Sequence, residues 1–240
     1  MSEILRDRFD EFSGRVEDAM SEVKPRLRGW LHLAIAPLAL LAGIVLVALS
    51  PDTTTRTGSA VFAATALVLF TVSAIYHRGN WSPTIQARLR RFDHSNIFLL
   101  IAGSCTPFAL LLLNGKQRWT MLAIVWGGAI GGVVMKVLWN GAPRWLSAPI
   151  YIALGWAPVF FFGAFVSGAM DRYGASTGTV VIALVAVGGA FYTVGGIIYG
   201  MKRPNPWPQW FGFHEVFHTF TILAFVSHYV GVSVATYSLR

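Results

Sequence analysis

The chain has 240 residues, of which 55% are hydrophobic and only 12% are charged, and its mean hydropathy is +0.56. These values are typical of integral membrane proteins and argue against a soluble enzyme of this length. A single cysteine excludes a disulfide framework. The net charge of +8 does not indicate nucleic-acid binding, because the positive residues lie beside apolar runs, where they fix orientation and contact anionic headgroups.

Residues 1–28 form a polar leader that precedes the first apolar run. Seven of the eleven acidic residues of the chain lie in this leader. Its apolar residues recur at steps of three or four, which places them on one side of a helix: Leu5, Phe9, Phe12, Val16, Met20, Val23 and Leu27. We expect a cytoplasmic amphipathic helix that lies on the membrane or packs against the bundle; a solvated leader is the alternative.

Seven apolar runs follow the leader, and each is long enough to span a bilayer, which takes about 20 residues. The runs are 30–49, 58–77, 95–113, 119–139, 149–168, 178–199 and 214–237. The predicted fold is therefore an all-α, seven-transmembrane helix bundle over residues 29–240. With a cytoplasmic N-terminus, thirteen of the nineteen Lys and Arg residues lie inside and five outside, as the positive-inside rule favours. The C-terminus then lies outside.

This topology predicts that most ionisable residues near the spans lie at one level, on the cytoplasmic side. Five of the six histidines belong to this set: His32, His77, His94, His214 and His218. The two acidic residues that lie close to spans, Asp93 and Glu215, are at the same level. Ionisable side chains at membrane depth are costly, so this sorting indicates a functional site.

A metal site is the chemistry that this set favours. His214 and His218 begin and end an H-E-x-x-H motif, and they lie one turn apart on one helix face. His77 is the best third ligand, with Ser73 one turn deeper on the same face. Three protein ligands and a water form a catalytic zinc site, in which Asp93 can hydrogen-bond the water or an imidazole. The alternative is that the histidines are interfacial and that Asp93 caps the third span.

Three motifs at matching span ends resemble bacterial hemolysin III proteins. They are Ser73-Ala74-Ile75-Tyr76-His77, residues 92–108 from Phe92-Asp93-His94-Ser95 to Thr106-Pro107-Phe108, and Phe213-His214-Glu215-Val216-Phe217-His218, with the later His228. Hemolysin III proteins belong to the progestin and adiponectin receptor (PAQR) superfamily, which is related to alkaline ceramidases. The resemblance covers about residues 28–237 and all seven predicted spans.

The resemblance implies zinc ligands at His77, His214 and His218, with Ser73 and Asp93 beside the zinc-bound water. Two further histidines are assigned to packing.

The first of these, His32, lacks the Asn that the family places four residues before a histidine, because Arg28 stands at that position. We therefore favour interfacial packing for His32. His228 lies ten residues beyond the last ligand, about 15 Å deeper. We expect it to be a packed, hydrogen-bonded histidine.

The leading functional hypothesis is a zinc-dependent lipid amide hydrolase of the cell (inner) membrane. In this hypothesis Asp93 is the general base and Ser73 orients the water or the oxyanion. The same site is also compatible with a zinc-stabilised protein that affects membrane lipid composition. The expected partners are membrane lipids, not nucleic acid.

Three other functional classes remain open from the sequence. The hemolysin name implies a pore-forming cytolysin, although spans four to six show no polar stripe for a wide aqueous pore. A receptor with structural zinc is the second class. The third is an intramembrane metalloprotease with Glu215 as base, although Glu215 lies about 100° around the helix from His214.

Overall fold

A computed structural model describes residues 25–139 and 144–240. The predicted amphipathic leader lies outside the described residues, except for residues 25–28. The described residues form an all-helical structure. Its elements are α1 (Trp30–Ala48), α2 (Thr53–Arg78), α3 (Pro83–Leu112), α4 (Gly115–Leu138), α5 (Arg144–Gly155), a 3₁₀ helix (Ala157–Phe161), α6 (Phe162–Met201) and α7 (Phe213–Tyr237).

Six helical stretches of the described chain are long and apolar enough to cross a membrane. Five of them correspond to α1, α2, α3, α4 and α7. The sixth, Trp145–Met201, has 57 residues and contains α5, the 3₁₀ helix and α6. A straight helix of that length would measure about 85 Å, nearly three times the thickness of a hydrocarbon core. This stretch holds both predicted spans at 149–168 and 178–199.

The long stretch turns back on itself at Gly174, where the backbone leaves the helical region with a φ of 75°. A Cβ atom added to Gly178 would lie 2.8 Å from the carbonyl oxygen of Ala169. One added to Gly196 would lie 3.0 Å from the Cγ1 atom of Ile152. Residues at nearly equal distances along the chain from Gly174 therefore face each other, as in an antiparallel hairpin. The six candidate spans thus include one hairpin, and the count of seven crossings stays a prediction.

Helix α3 begins at Pro83, twelve residues before the apolar run that predicted it. Proline suits the first position of a helix because its fixed φ is already helical. The added turns contain Arg88, Arg90 and Arg91, which favour helix but lower hydropathy, so a hydropathy criterion misses them. Asp93 consequently lies well inside the helix, and the alternative that it caps the third span is wrong.

The core of the bundle forms around α3. In its most apolar window 83% of the residues are buried, against 22% for α1 and 28% for α4. Helix α3 packs against α2, α4, α5, α6 and α7. This arrangement places the end of α2, the first half of α3 and the start of α7 side by side, and the predicted site residues lie on these three segments.

Candidate metal centre

Three buried histidines from two helices converge at one end of the bundle. His77 lies in the last turn of α2, and His214 and His218 lie at the start of α7. One ligand atom from each residue lies within 4.8 Å of the other two. The Nε2 atoms of His77 and His214 are 3.1 Å apart.

This geometry and this donor set fit a zinc ion. Two nitrogens bound tetrahedrally at about 2.0–2.1 Å from zinc are roughly 3.3 Å apart, close to the spacing of the His77 and His214 nitrogens. His218 also has a buried Nδ1 without a hydrogen-bond partner among the described residues. Three buried imidazoles that lie this close together, one of them with an unpartnered nitrogen, can bind a metal ion. The cluster is that of the three histidines singled out from the sequence.

Asp93 and Ser73 lie beside this cluster. The Asp93 Oδ2 atom is 3.7 Å from the Nε2 atom of His77, which is too long for a direct hydrogen bond. The hydroxyl of Ser73 donates a hydrogen bond to the Asp93 carboxylate. Both side chains are buried. The Asp93 carboxylate, hydrogen-bonded by the Ser73 hydroxyl, therefore lies next to the histidine nitrogens that can bind a metal and can accept a proton there.

His32 packs directly on the cluster. Its ring stacks on that of His218, with the ring centroids 3.7 Å apart and the planes 15° from parallel. The residue is 2% exposed, and neither ring nitrogen has a hydrogen-bond partner among the described residues. The prediction of a packing role agrees with these contacts, but the position is interior and not interfacial. The adjacent helices bury it because α1 and α7 meet at this level.

Glu215 is fully buried, and both of its carboxylate oxygens are occupied. Oε1 accepts a hydrogen bond from the Nε atom of Arg28, and Oε2 accepts one from the backbone N–H of Gly212 at 2.9 Å. These contacts remove the support for Glu215 as the base of a metalloprotease. Arg28 was noted in the sequence only as a departure from a family pattern. Its pairing joins residues 187 positions apart, so no local signal could reveal it.

A cavity of about 500 Å³ extends from the histidine cluster into the bundle. Its polar end is lined by Ser73, Asp93, His214 and His218, and most of its remaining wall is apolar. The wall also includes Val159, which is 56% exposed on the outer surface of the bundle. The space therefore has the form expected for a long apolar ligand with one polar group at the cluster.

His228 lies at the deeper end of the cavity wall. Its Nε2 atom donates to the carbonyl oxygen of Val185 at 3.3 Å, and its ring packs edge-on against Phe108. These contacts agree with the predicted packed, hydrogen-bonded histidine. The Nε2 atom of His94 lies 3.3 Å from the hydroxyl of Tyr199.

Comparison with known proteins places these residues in a family. The family model described as "Haemolysin-III related" matches residues 20–229. The chain is 32% identical over 162 residues to the Hemolysin-3 homolog of Bacillus subtilis (strain 168), which covers 68% of this chain and 69% of that protein. It is 33% identical over 162 residues to Hemolysin-3 of Bacillus cereus, covering 68% of this chain and 67% of that protein.

A more distant relative matches almost the whole chain. The Monocyte to macrophage differentiation factor of Homo sapiens is 22% identical over 237 residues, in a match that covers 95% of this chain and 93% of that protein. The differentiation factor is a member of the progestin and adiponectin receptor superfamily, so it and the bacterial relatives support the same family assignment. The chain belongs to the hemolysin III family, within the progestin and adiponectin receptor superfamily.

Proposed function

We propose that this protein is a membrane-embedded zinc hydrolase that cleaves lipid amides. One observation carries the proposal: a mainly apolar cavity of about 500 Å³ has Asp93 and two histidines of the buried three-histidine cluster, His214 and His218, at its polar end. His77, His214 and His218 would hold zinc, which supplies Lewis-acid activation of water and of a carbonyl group. A simple packing cluster would have no need of such a cavity.

The side chains around the cluster have complementary roles in this proposal. Asp93, whose carboxylate lies 3.7 Å from the His77 Nε2 atom, would accept a proton from the water that attacks the amide carbonyl carbon and return it to the amine that leaves when the C–N bond breaks. Ser73 holds that carboxylate in position through its hydroxyl. The apolar wall binds an acyl chain and excludes bulk water, which strengthens the electrostatic interactions at the polar end. Asp93 is thus the catalytic residue and Ser73 its orienting partner.

The substrate class follows from the shape and surroundings of the cavity. An acyl lipid has one polar linkage and a long apolar chain, which match the polar end and the apolar wall. The resemblance to alkaline ceramidases favours an amide over an ester linkage. We therefore propose membrane lipids as partners. A zinc-stabilised protein that regulates membrane lipid homeostasis without hydrolysis is the alternative outcome.

The direct experiment is hydrolysis of a fluorescent short-chain ceramide by purified, zinc-loaded protein. We expect activity in the wild type and a loss of about 100-fold or more in Asp93→Asn, because that change removes the base. Asp171→Asn is the matched control, since this carboxylate is exposed and far along the chain from the cluster. Both variants should retain wild-type zinc content. If the zinc-loaded wild type cleaves no amide or ester lipid, the proposal of a hydrolase is wrong and the zinc site has a structural role.

Two further functions are possible outcomes of related assays. The names of the Bacillus relatives suggest cytolysis for those proteins, and release of a dye from liposomes tests whether this chain forms pores. We expect no release, because the cavity wall is mainly apolar. A receptor role would instead appear as ligand binding that persists when hydrolysis is absent.

The proposed topology has seven crossings, a cytoplasmic N-terminus with an amphipathic leader at 1–28, and a membrane domain at 29–240 in the cell (inner) membrane. The hairpin at Gly174 and the asymmetry of Lys and Arg between loops support it. Phosphatase fusions provide the test: a C-terminal fusion should be active in the periplasm, and an N-terminal fusion should be inactive. An inactive C-terminal fusion contradicts this topology.

A further inference from the structure

A short turn before α1 is fixed to the segment that precedes α7. The backbone N–H of Arg26 donates to the carbonyl oxygen of Gln209 at 2.9 Å. The backbone N–H of Leu27 donates to the carbonyl oxygen of Trp210 at 3.1 Å. The guanidinium of Arg26 also lies 4.6 Å from the ring centroid of Trp210. Residues 25–29, which we call the N-terminal turn, are therefore held against the chain that leads into the histidine cluster.

The N-terminal turn also reaches the first turn of α7 through a buried charge pair. The Nε atom of Arg28 donates to Oε1 of Glu215, and their side chains are 16% and 1% exposed. Glu215 directly follows His214, and its second oxygen accepts the backbone N–H of Gly212. The carboxylate of Glu215 therefore connects the N-terminal turn to the start of α7, directly beside the candidate ligand His214.

The same turn touches the other helix of the cluster. Gly29 has a φ of 82°, which favours glycine, and a Cβ atom added there would lie 2.6 Å from the Cβ of His77. The turn thus contacts α2 at one candidate ligand and α7 beside another. Since α2 and α7 are far apart along the chain, such a bridge fixes the position of His77 relative to His214.

We propose that Arg28 and Glu215 are positioning residues that set the geometry of the metal site. This proposal rests on the proposed function, because it assumes that the three histidines bind zinc. Removing Arg28 leaves a buried carboxylate unpaired next to a ligand, which is strongly unfavourable and is relieved by movement of the start of α7. Substitutions in the residues that orient metal ligands typically reduce metal affinity about 10–100-fold.

The test measures zinc affinity by competition with a chelator, together with the visible absorption spectrum of the cobalt-loaded protein. We expect Arg28→Gln and Glu215→Gln each to weaken zinc binding about 10–100-fold and to change the cobalt spectrum. The double variant should lose about as much as either single variant, because the two residues act as one unit. Arg28→Lys keeps the charge and should restore most of the affinity and the spectrum.

Arg26→Gln is the matched control, because Arg26 lies in the same turn but its guanidinium stacks on Trp210, whereas Arg28 is the arginine bonded to Glu215. It should leave zinc affinity and the cobalt spectrum as in the wild type. The inference is overturned if Arg28→Gln and Glu215→Gln bind zinc as tightly as wild type with the same spectrum. It is equally overturned if they only lower the melting temperature of the metal-free protein. A wild type that binds no zinc overturns the proposed function as well.

Discussion

Helices α3 and α1 are both apolar enough to span a membrane, yet they occupy opposite environments. Their most apolar windows have mean hydropathies of 1.8 and 2.4, but 83% of the α3 window is buried inside the protein against 22% for α1. Hydropathy alone therefore separates spans from loops without separating a central helix from a peripheral one. The difference lies in where each helix carries small and polar residues.

Some of the buried polar residues of α3 have hydrogen-bond partners inside the bundle. The Thr106 hydroxyl donates to the carbonyl of Ala102 and accepts a hydrogen bond from the Nε1 atom of Trp126 on α4 at 3.0 Å. Helix α1 instead exposes large apolar residues such as Leu38 and Leu41. Lipid is as apolar as leucine, so packing and hydrogen bonds decide which helix is central, not hydrophobicity.

We expect the largest effects on zinc content and melting temperature from substitutions in the three-histidine cluster. His77→Ala, His214→Ala and His218→Ala should each remove most bound zinc and lower the melting temperature, because metal binding stabilises the folded state. His228→Ala is the matched control, since its ring is hydrogen-bonded to α6 deeper in the bundle. Zinc per protein and thermal melting are the measurements. Loss of zinc only in His228→Ala would require a different ligand set.

A smaller effect should separate a buried from a lipid-facing phenylalanine. Phe98 on α3 is 0% exposed and packs against the ring of Tyr151, whereas Phe160 is 88% exposed. We expect Phe98→Ala to reduce the free energy of unfolding by about 2–4 kcal/mol through lost packing, and Phe160→Ala to have almost no effect. Unfolding of both variants in detergent measures the difference. If both variants lost the same free energy of unfolding, α3 would not be the central helix of the bundle.

Close backbone contact with α3 should also be measurable. A Cβ atom added to Gly168 would lie 1.9 Å from the carbonyl oxygen of Leu112, at the end of α3. Gly168→Ala should therefore cost about 1–3 kcal/mol, because backbone must move. Gly163→Ala, in the same helix with no atom within 4 Å of the added Cβ, should be neutral or slightly stabilising. The melting temperatures of the two variants decide the matter, and an unchanged Gly168→Ala would refute this contact.

The smallest expected effect concerns a single hydrogen bond between helices. Thr106→Val removes the acceptor for Trp126, and such bonds are worth about 0.6 kcal/mol on average in a membrane protein. Thr179→Val is the control, because Thr179 is exposed and its hydroxyl bonds the carbonyl of Ala175 in its own helix. A difference of this size appears as a small shift in the unfolding midpoint. A larger loss in Thr179→Val would reverse the expected order.

The sequence predicted the features that depend on local pattern. The spacing of His214 and His218 and the direction of each span were enough to bring His77 to the same place, because helix ends and a fixed topology determine proximity. The packed, hydrogen-bonded state of His228 could be predicted because this residue lies ten residues beyond His218 along α7. These inferences use only the helical repeat and the alternation of span direction.

Other features depend on contacts between distant residues, so no local pattern reveals them. The pair of Arg28 and Glu215 is one example, and the stacking of His32 on His218 is another. The early start of α3 was missed because its arginines favour helix but lower hydropathy. The central position of α3 follows from its packing against five other helices, which its own hydropathy does not determine.

The central claim is that His77, His214 and His218 bind one zinc ion. The most direct measurement is zinc K-edge X-ray absorption, combined with metal analysis, on protein purified without added metal. We expect about one zinc per chain, with imidazole nitrogens as the main ligands at about 2.0–2.1 Å. A wild-type protein that holds no zinc after growth in zinc-sufficient medium, or a bound zinc without histidine ligands, would contradict it.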